Sequence, residues 1–331
     1  MLLKVGIPHS LFYYYYYPLW KTFFEELGAQ VVKSHPTSRL TVDQGVRLAV
    51  DEACFPMKVY FGHVKELADQ GVDYLFVPRL VSVEPKSYIC PKFMGLPDMI
   101  RASIPRLPPL IDITVDISKT DKYLHKDIVR VGRIFGASPK KTRAAYQKGL
   151  EELRFFRTLA AQGLSPQEAM QVWEGNQLPA REPERLRLGI LGHGYSLYDG
   201  VISMNLLQHL RGLECRPVLA EHVDPDMIEN YAATLSKRVF WTLGRKMVGS
   251  ALYFDQDQEI DGIVYLACFG CGPDSLIGEI IERRIVNKPF IMLTVDEHTG
   301  EAGLITRIEA FVDMIERNRR RSFEDNFSAH G

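Results

Sequence analysis

Residues 186–199 read LRLGILGHGYSLYD. An apolar run over 186–191 passes directly into a turn, 192–199, that carries two glycines and a histidine, and helical spacing resumes over 201–213. A short buried strand delivering a glycine turn and then a helix is the opening of a βα unit, so the stretch predicts a parallel sheet covered by helices. The chain starts the same way. The run 3–7 ends in GIPHS (6–10), matching GHGYS (192–196), and each first strand therefore ends in a loop bearing a histidine, His9 or His193. The expected fold class is α/β, with two Rossmann-like halves, each built on a parallel sheet.

Working outward, the first unit continues with an aromatic segment, a helix over 20–27 stopped by Gly28, a strand at 29–33, helical spacing over 42–53 and again after Pro56, and the buried strand DYLFV at 73–77. Residues 122–174 are rich in Lys, Arg, Glu, Gln and Ala without strand signals, and read as linking helices. Asn176 to Arg187, with Pro179 and Pro183, is the expected boundary. The second unit then carries strands at 216–220, 262–268 and 290–295, helices within 224–250 and from about Ser275, and a last helix over 302–317. The expected layout is a first domain at 1–120, a helical flanking segment at 121–184, a second domain at 185–320 and a frayed tail at 321–331.

The 331 residues are 46% hydrophobic and 24% charged, with a formal net charge of −1. That length favours two cores over one. The balanced charge offers no field for general nucleic-acid binding or a polybasic membrane surface, and no window holds about 18 uninterrupted apolar residues. A cytoplasmic protein is expected. Neither G-x-x-x-x-G-K-[ST] nor G-x-G-x-x-G after a strand occurs, so nucleotide chemistry is expected on a separate chain.

The five cysteines form an odd set, unsuited to a disulfide framework and available to a metal in a reducing compartment. Cys54 in DEACFPMK, Cys90 in YICPKFM, and Cys268 and Cys271 in CFGCGPDS all sit at connections between predicted elements. Thiolates are the strong ligands of cluster iron, and helix N-termini after Cys54, Cys90 and Cys271 would aim N–H groups at the sulfurs. Pro56, Pro91 and Pro273 suit first helical turns. Cys215, beside a short strand, reads as a buried core thiol, and Cys268 admits both a core and a ligand reading. Zinc is the alternative to iron, although these separations are unlike a zinc ribbon or a bacterial ferredoxin.

Taken together, GIPHSLFYYYYYPLWKTFFEELGA, DEACFPMKVYFGHV, YICPKFMGLPDMI, GHGYSLYD, CFGCGPDS and DEHTGEAGLITRIEAF resemble the activase-related proteins (domain of unknown function 2229) of the 2-hydroxyglutaryl-CoA dehydratase and double-cubane cluster protein superfamily. The resemblance runs over nearly the whole chain. It implies two flavodoxin-like domains with a [4Fe–4S] or cubane-derived cluster between them, a homodimer or related partner subunit, and low-potential electrons from an ATP-hydrolysing activase of the actin-like fold. Three cysteines per subunit hold the cluster in that family, and by position Cys54, Cys90 and Cys271 correspond, with Cys268 as a fourth candidate. A non-catalytic cluster carrier or accessory subunit is the alternative within the same system.

Other groups lie at strand ends. His193 and Tyr195, with Tyr198 and Asp199, occupy a loop able to deliver a proton or bind a small ligand; a packing or capping turn is the plainer reading, and His9 has the same two readings. Asp296, Glu297 and His298, with Glu301, would serve as a metal-binding or supporting cluster; the resemblance favours a site role, with Glu297 and His298 as catalytic candidates, while Glu301 also suits the N-terminus of the last helix. The tyrosine run 13–17 suits packing at a domain or subunit interface, with substrate stacking as the sharper alternative.

Overall fold

A computed structural model describes residues 2–178 and 184–328, with side chains outside 321–328. Pro179 and Pro183 of the expected boundary and residues 329–331 of the expected tail lie outside the described residues. The first half runs β1 (Lys4–Ile7), α1 (Tyr13–Glu26), β2 (Gln30–Lys33), α2 (Arg39–Leu48), α3 (Phe55–Asp69), β3 (Tyr74–Phe76), β4 (Arg79–Ser82), α4 (Pro91–Met94), α5 (Leu96–Ser103), β5 (Leu110–Ile111) and β6 (Thr114–Asp116). Three linking helices follow: α6 (Lys122–Ile134), α7 (Pro139–Ala161) and α8 (Pro166–Trp173). The second half runs β7 (Leu186–Gly192), α9 (Gly194–Leu197), α10 (Leu206–Gly212), β8 (Cys215–Leu219), α11 (Pro225–Ala232), α12 (Thr242–Gln256), β9 (Gly262–Cys268), α13 (Gly272–Glu282), β10 (Phe290–Val295) and α14 (Glu301–Ser328).

The fold is α/β with parallel sheets, as the alternating pattern requires. The first sheet has the order β2-β1-β3-β5 and the second β8-β7-β9-β10. Within its own half each sheet therefore places its second strand outside its first, followed by the third and fourth, which is the flavodoxin-like arrangement. In such a sheet the chain reverses direction of winding between the first and third strands, and a crevice opens at their carboxyl ends. In the second half those strands are β7 and β9, paired from Leu188↔Gly262 to Gly192↔Leu266. β9 is buried at every residue, which explains its unbroken apolar sequence GIVYLAC. A two-stranded parallel ladder, β4 with β6, extends the β3–β5 edge of the first sheet beyond Pro78, which has no N–H to give to a continuous ladder.

Three elements depart from the sequence expectation for identifiable reasons. The aromatic segment is helical from Tyr13, with Pro18 inside α1, and this turns Tyr15 toward the second half, where its hydroxyl accepts the Gly194 N–H at 2.8 Å. The helix expected over 201–213 begins only at Leu206. Asp199 accepts the N–H groups of Val201 (3.0 Å) and Ile202 (3.1 Å), and Met204 and Asn205 take φ of 51° and 54°, so an Asx-type turn and left-handed backbone replace the first helical turns. The last helix continues past Arg317 to Ser328.

The larger hydrophobic core is continuous through both halves and includes Cys54, Cys268 and Cys271, with Cys90 packed against it. Polar ties cross as well: Lys58 to Glu297, Thr37 to Asp199, and Arg245 to Glu84 and Ser87. Where α2 crosses α3, a Cβ on Gly45 would meet the Lys58 carbonyl oxygen at 1.9 Å, and one on Gly62 would meet that of Thr41 at 2.0 Å. Glycine is required there, and the close approach sets α3, whose first residue follows Cys54. Among the described residues no helix is long and apolar enough to cross a membrane.

Candidate metal centre

Cys54, Cys90 and Cys271 occupy equivalent local positions. Each is the residue before a helix, α3, α4 or α13, and each helix has proline in its first two positions. Pro56, Pro91 and Pro273 cost no hydrogen bond there because first-turn N–H groups have no intrahelical partner. The thiols of Cys54, from the first half, and Cys271, from the second, are hydrogen-bonded to one another. Cys90 is within electrostatic reach of Cys54 and of Tyr195, whose hydroxyl burial pushes well up, with Cys271, Asp274, Cys54 and Cys90 adding to the effect.

The thiols differ in character. Hydrogen bonding from Cys271 lowers Cys54 to about 7 against the cost of burial, with help from Lys92 and the Met57 backbone. Cys271 is pushed up, first by that shared hydrogen bond and then by burial and Asp274. Burial raises half-buried Cys90, opposed by the Lys92 backbone. One proton is thus retained by the Cys54–Cys271 pair, and Cys54 is the first thiolate.

Cys268 is within electrostatic reach of Cys54 but, unlike these three, ends a strand and does not precede a helix. It is the last residue of β9, only 3% exposed, with Sγ 3.3 Å from the Ser196 hydroxyl, and burial pushes its thiol well up. Cys215 lies in β8; its closest polar partner is the Leu213 carbonyl oxygen, 3.6 Å away, and burial raises it to about 11.

His193 immediately follows β7 and so stands at the mouth of the β7–β9 crevice, beside the Cys271 turn. It is 5% exposed; Nε2 lies 3.2 Å from Asp274 Oδ1, Nδ1 is buried without a partner, and the ring stacks on Tyr195 at 4.8 Å. A ring nitrogen of His193, Cys271 Sγ and an Asp274 oxygen lie within 4.8 Å of one another. Glu297 is drawn into an ion pair with Lys58, which outweighs the effect of burial and holds the carboxyl below its usual range. His298 is exposed beside it, its backbone N–H bonded to Asp296 at 2.9 Å.

Asp274, Lys58, Lys92 and Arg245 are neighbours of the candidate groups that the sequence reading missed. Asp274 had a signal, an acid in the first turn after C-G-P; the others are brought in only by contacts between distant segments. A second polar group also joins the halves: the His9 N–H donates to Ser34 Oγ (2.9 Å), Ser34 bonds His63 Nδ1 (2.9 Å), Thr37 bonds His63 Nε2 (2.9 Å), and Thr37 donates to Asp199.

The arrangement can hold a soft or borderline metal by sulfur, with nitrogen and carboxylate donors adjacent. No curated protein matches the chain. Residues 4–223 match the family described as CoA enzyme activase uncharacterised domain (DUF2229), a span that includes Cys54, Cys90, His193 and Tyr195 and ends before Cys268 and Cys271. With about two thirds of its length in that match, the chain belongs to the CoA enzyme activase uncharacterised domain family.

Proposed function

We propose that this protein is an iron–sulfur redox component of the 2-hydroxyacyl-CoA dehydratase type, working in the cytoplasm with an ATP-dependent activase. The observation that supports the reading is that Cys54, Cys90 and Cys271, from both halves, each precede a proline-started helix and all act electrostatically on Tyr195. Their donor set fits a cubane: three thiols, a water-poor lining and the N–H-rich ends of α3 and α13 for the charge of bound thiolates. When bound, a cluster would supply one-electron transfer at low potential.

The chain's own groups support that task. Lys92 and the Met57 backbone ease ionisation of Cys54, which readies a first ligand near neutral pH. Tyr195 and Phe93, 5.7 Å apart, give an aromatic lining to the cavity that Cys90 and His193 also border. Electrons would come from an actin-like-fold ATPase on another chain, and a homodimer or related subunit would complete the assembly. Protein purified without oxygen should be brown, contain iron and sulfide, and bleach on reduction. Colourless protein with zinc alone would overturn this reading.

That outcome would favour a second reading, supported by one observation: His193, Cys271 and Asp274 form a nitrogen, sulfur and oxygen trio that zinc also accepts.

A further inference from the structure

We propose that His193, oriented by Asp274, supplies a nitrogen ligand to the iron nearest Cys271; this rests on the cluster reading above. The ring is almost fully buried, and its two nitrogens have different fates. Nε2 is 3.2 Å from Asp274 Oδ1, and Asp274, 1% exposed, is itself fixed: Oδ1 also accepts the Tyr265 hydroxyl (2.9 Å) and Oδ2 accepts the Cys268 N–H (3.0 Å). With an acceptor oxygen 3.2 Å from Nε2 and nothing beside Nδ1, the ring is set to carry its proton on Nε2 and its lone pair on Nδ1. Nδ1 is buried and has no partner. An acceptor left unmet in the interior is destabilising, and a metal satisfies it.

The surroundings point the same way. A ring nitrogen of His193 lies within 4.8 Å of Cys271 Sγ, and the ring stacks on Tyr195, which lines the same cavity as His193 and Cys90. A carboxylate behind a histidine is the usual support of a histidine ligand, fixing its tautomer and raising its basicity. Cys268, the other candidate for a fourth position, has its thiol engaged by Ser196. Imidazole in place of thiolate raises the potential of a cluster, so His193 would set this one above an all-cysteine site.

The test is pulsed EPR on the reduced protein, prepared without oxygen from cells fed ¹⁴N- or ¹⁵N-histidine. The expected result is a strong nitrogen coupling that changes with the isotope, is lost in His193→Ala with iron and sulfide retained, and is replaced in His193→Cys by a cluster of lower midpoint potential. The isotope comparison uses the unaltered chain, so it stands even where a variant folds poorly. Iron and sulfide present without nitrogen coupling, or coupling that survives in His193→Ala, overturns the assignment of His193 alone. Absence of iron and sulfide from the unaltered protein overturns the cluster reading and this inference with it.

Discussion

The thiol of Cys54, at the start of α3, is hydrogen-bonded to the thiol of Cys271, at the start of α13, and this bond joins the two halves at the candidate centre. In metal-free, reduced protein it makes Cys54 the reactive thiol, with a pKa of about 7 against about 11 for Cys215. Alkylation of Cys54 at neutral pH is expected to be at least ~10-fold faster than that of Cys215. Cys271→Ala should move the midpoint of the Cys54 rate profile upward, because the largest cause of the lowered pKa is then gone. Peptide mapping after timed alkylation measures both, and an unmoved midpoint rules out the pairing.

Arg245 is a buried clamp on the segment that leads to Cys90. Its guanidinium bonds Glu84, Ser87 (2.7 Å) and Glu229 (2.7 Å), while the Tyr88 N–H donates to the Phe240 carbonyl oxygen (2.9 Å) and the Thr242 N–H to that of Tyr88 (3.0 Å). Glu84 and Glu229 are substantially exposed and can hydrate when released, so the loss should reach about 2 kcal/mol and not the full cost of a buried broken pair. Arg245→Met is expected to lower Tm by several degrees and to reduce metal retention along with it. A thermal scan showing no change contradicts the clamp.

The His63 tautomer follows from the direction of the hydrogen bonds. Thr37 gives its only proton to Asp199, so it accepts from His63 Nε2–H, and Nδ1 accepts from Ser34. In Asp199→Asn, with Oδ1 still serving Val201 and Ile202, the amide donates to Thr37, Thr37 turns its proton to His63, and the ring must carry its proton on Nδ1. ¹⁵N spectra of histidine-labelled protein should show this exchange of ring shifts. The same tautomer in both proteins would exclude a directed chain.

Acid sensitivity should arise from the same group. Burial, chiefly, lowers His9 to about 4 and His63 to about 3 from an ordinary 6.5. The unfolded chain therefore binds protons that the folded one refuses, so stability is full above about pH 6.5 and declines as pH falls toward those lower values. Between neutral pH and pH 5 the loss should be about 2 kcal/mol per histidine. Asp199, raised by burial, acts with the opposite sign, so the comparison of interest is wild type against His63→Asn in urea unfolding at the two pH values. The variant should lose roughly half as much, and an unchanged slope would exclude His63 as a source.

The architecture was legible because it depends on local order. A strand, a glycine turn and a helix recur at 3–28 and 186–213, and the unbroken apolar run of β9 marks a central parallel strand. The positions of Cys54, Cys90 and Cys271 could be anticipated because each precedes a proline suited to a first helical turn. The start of α10 could not: left-handed backbone at Met204 and Asn205 interrupts the expected helical path and delays the helix to Leu206. Pairs such as Lys58 with Glu297, His193 with Asp274, and Thr37 with Asp199 join segments that only the folded sheets bring together. No periodicity records them.

The most direct test of the central claim is the iron and acid-labile sulfide content of oxygen-free preparations of the wild type and of Cys54→Ala, Cys90→Ala, Cys271→Ala and Cys215→Ala. The account predicts iron and sulfide in the wild type and in Cys215→Ala, and their loss in each of the other three while the fold, followed by circular dichroism, persists. Equal iron content in all five proteins, or no iron in any, would contradict it.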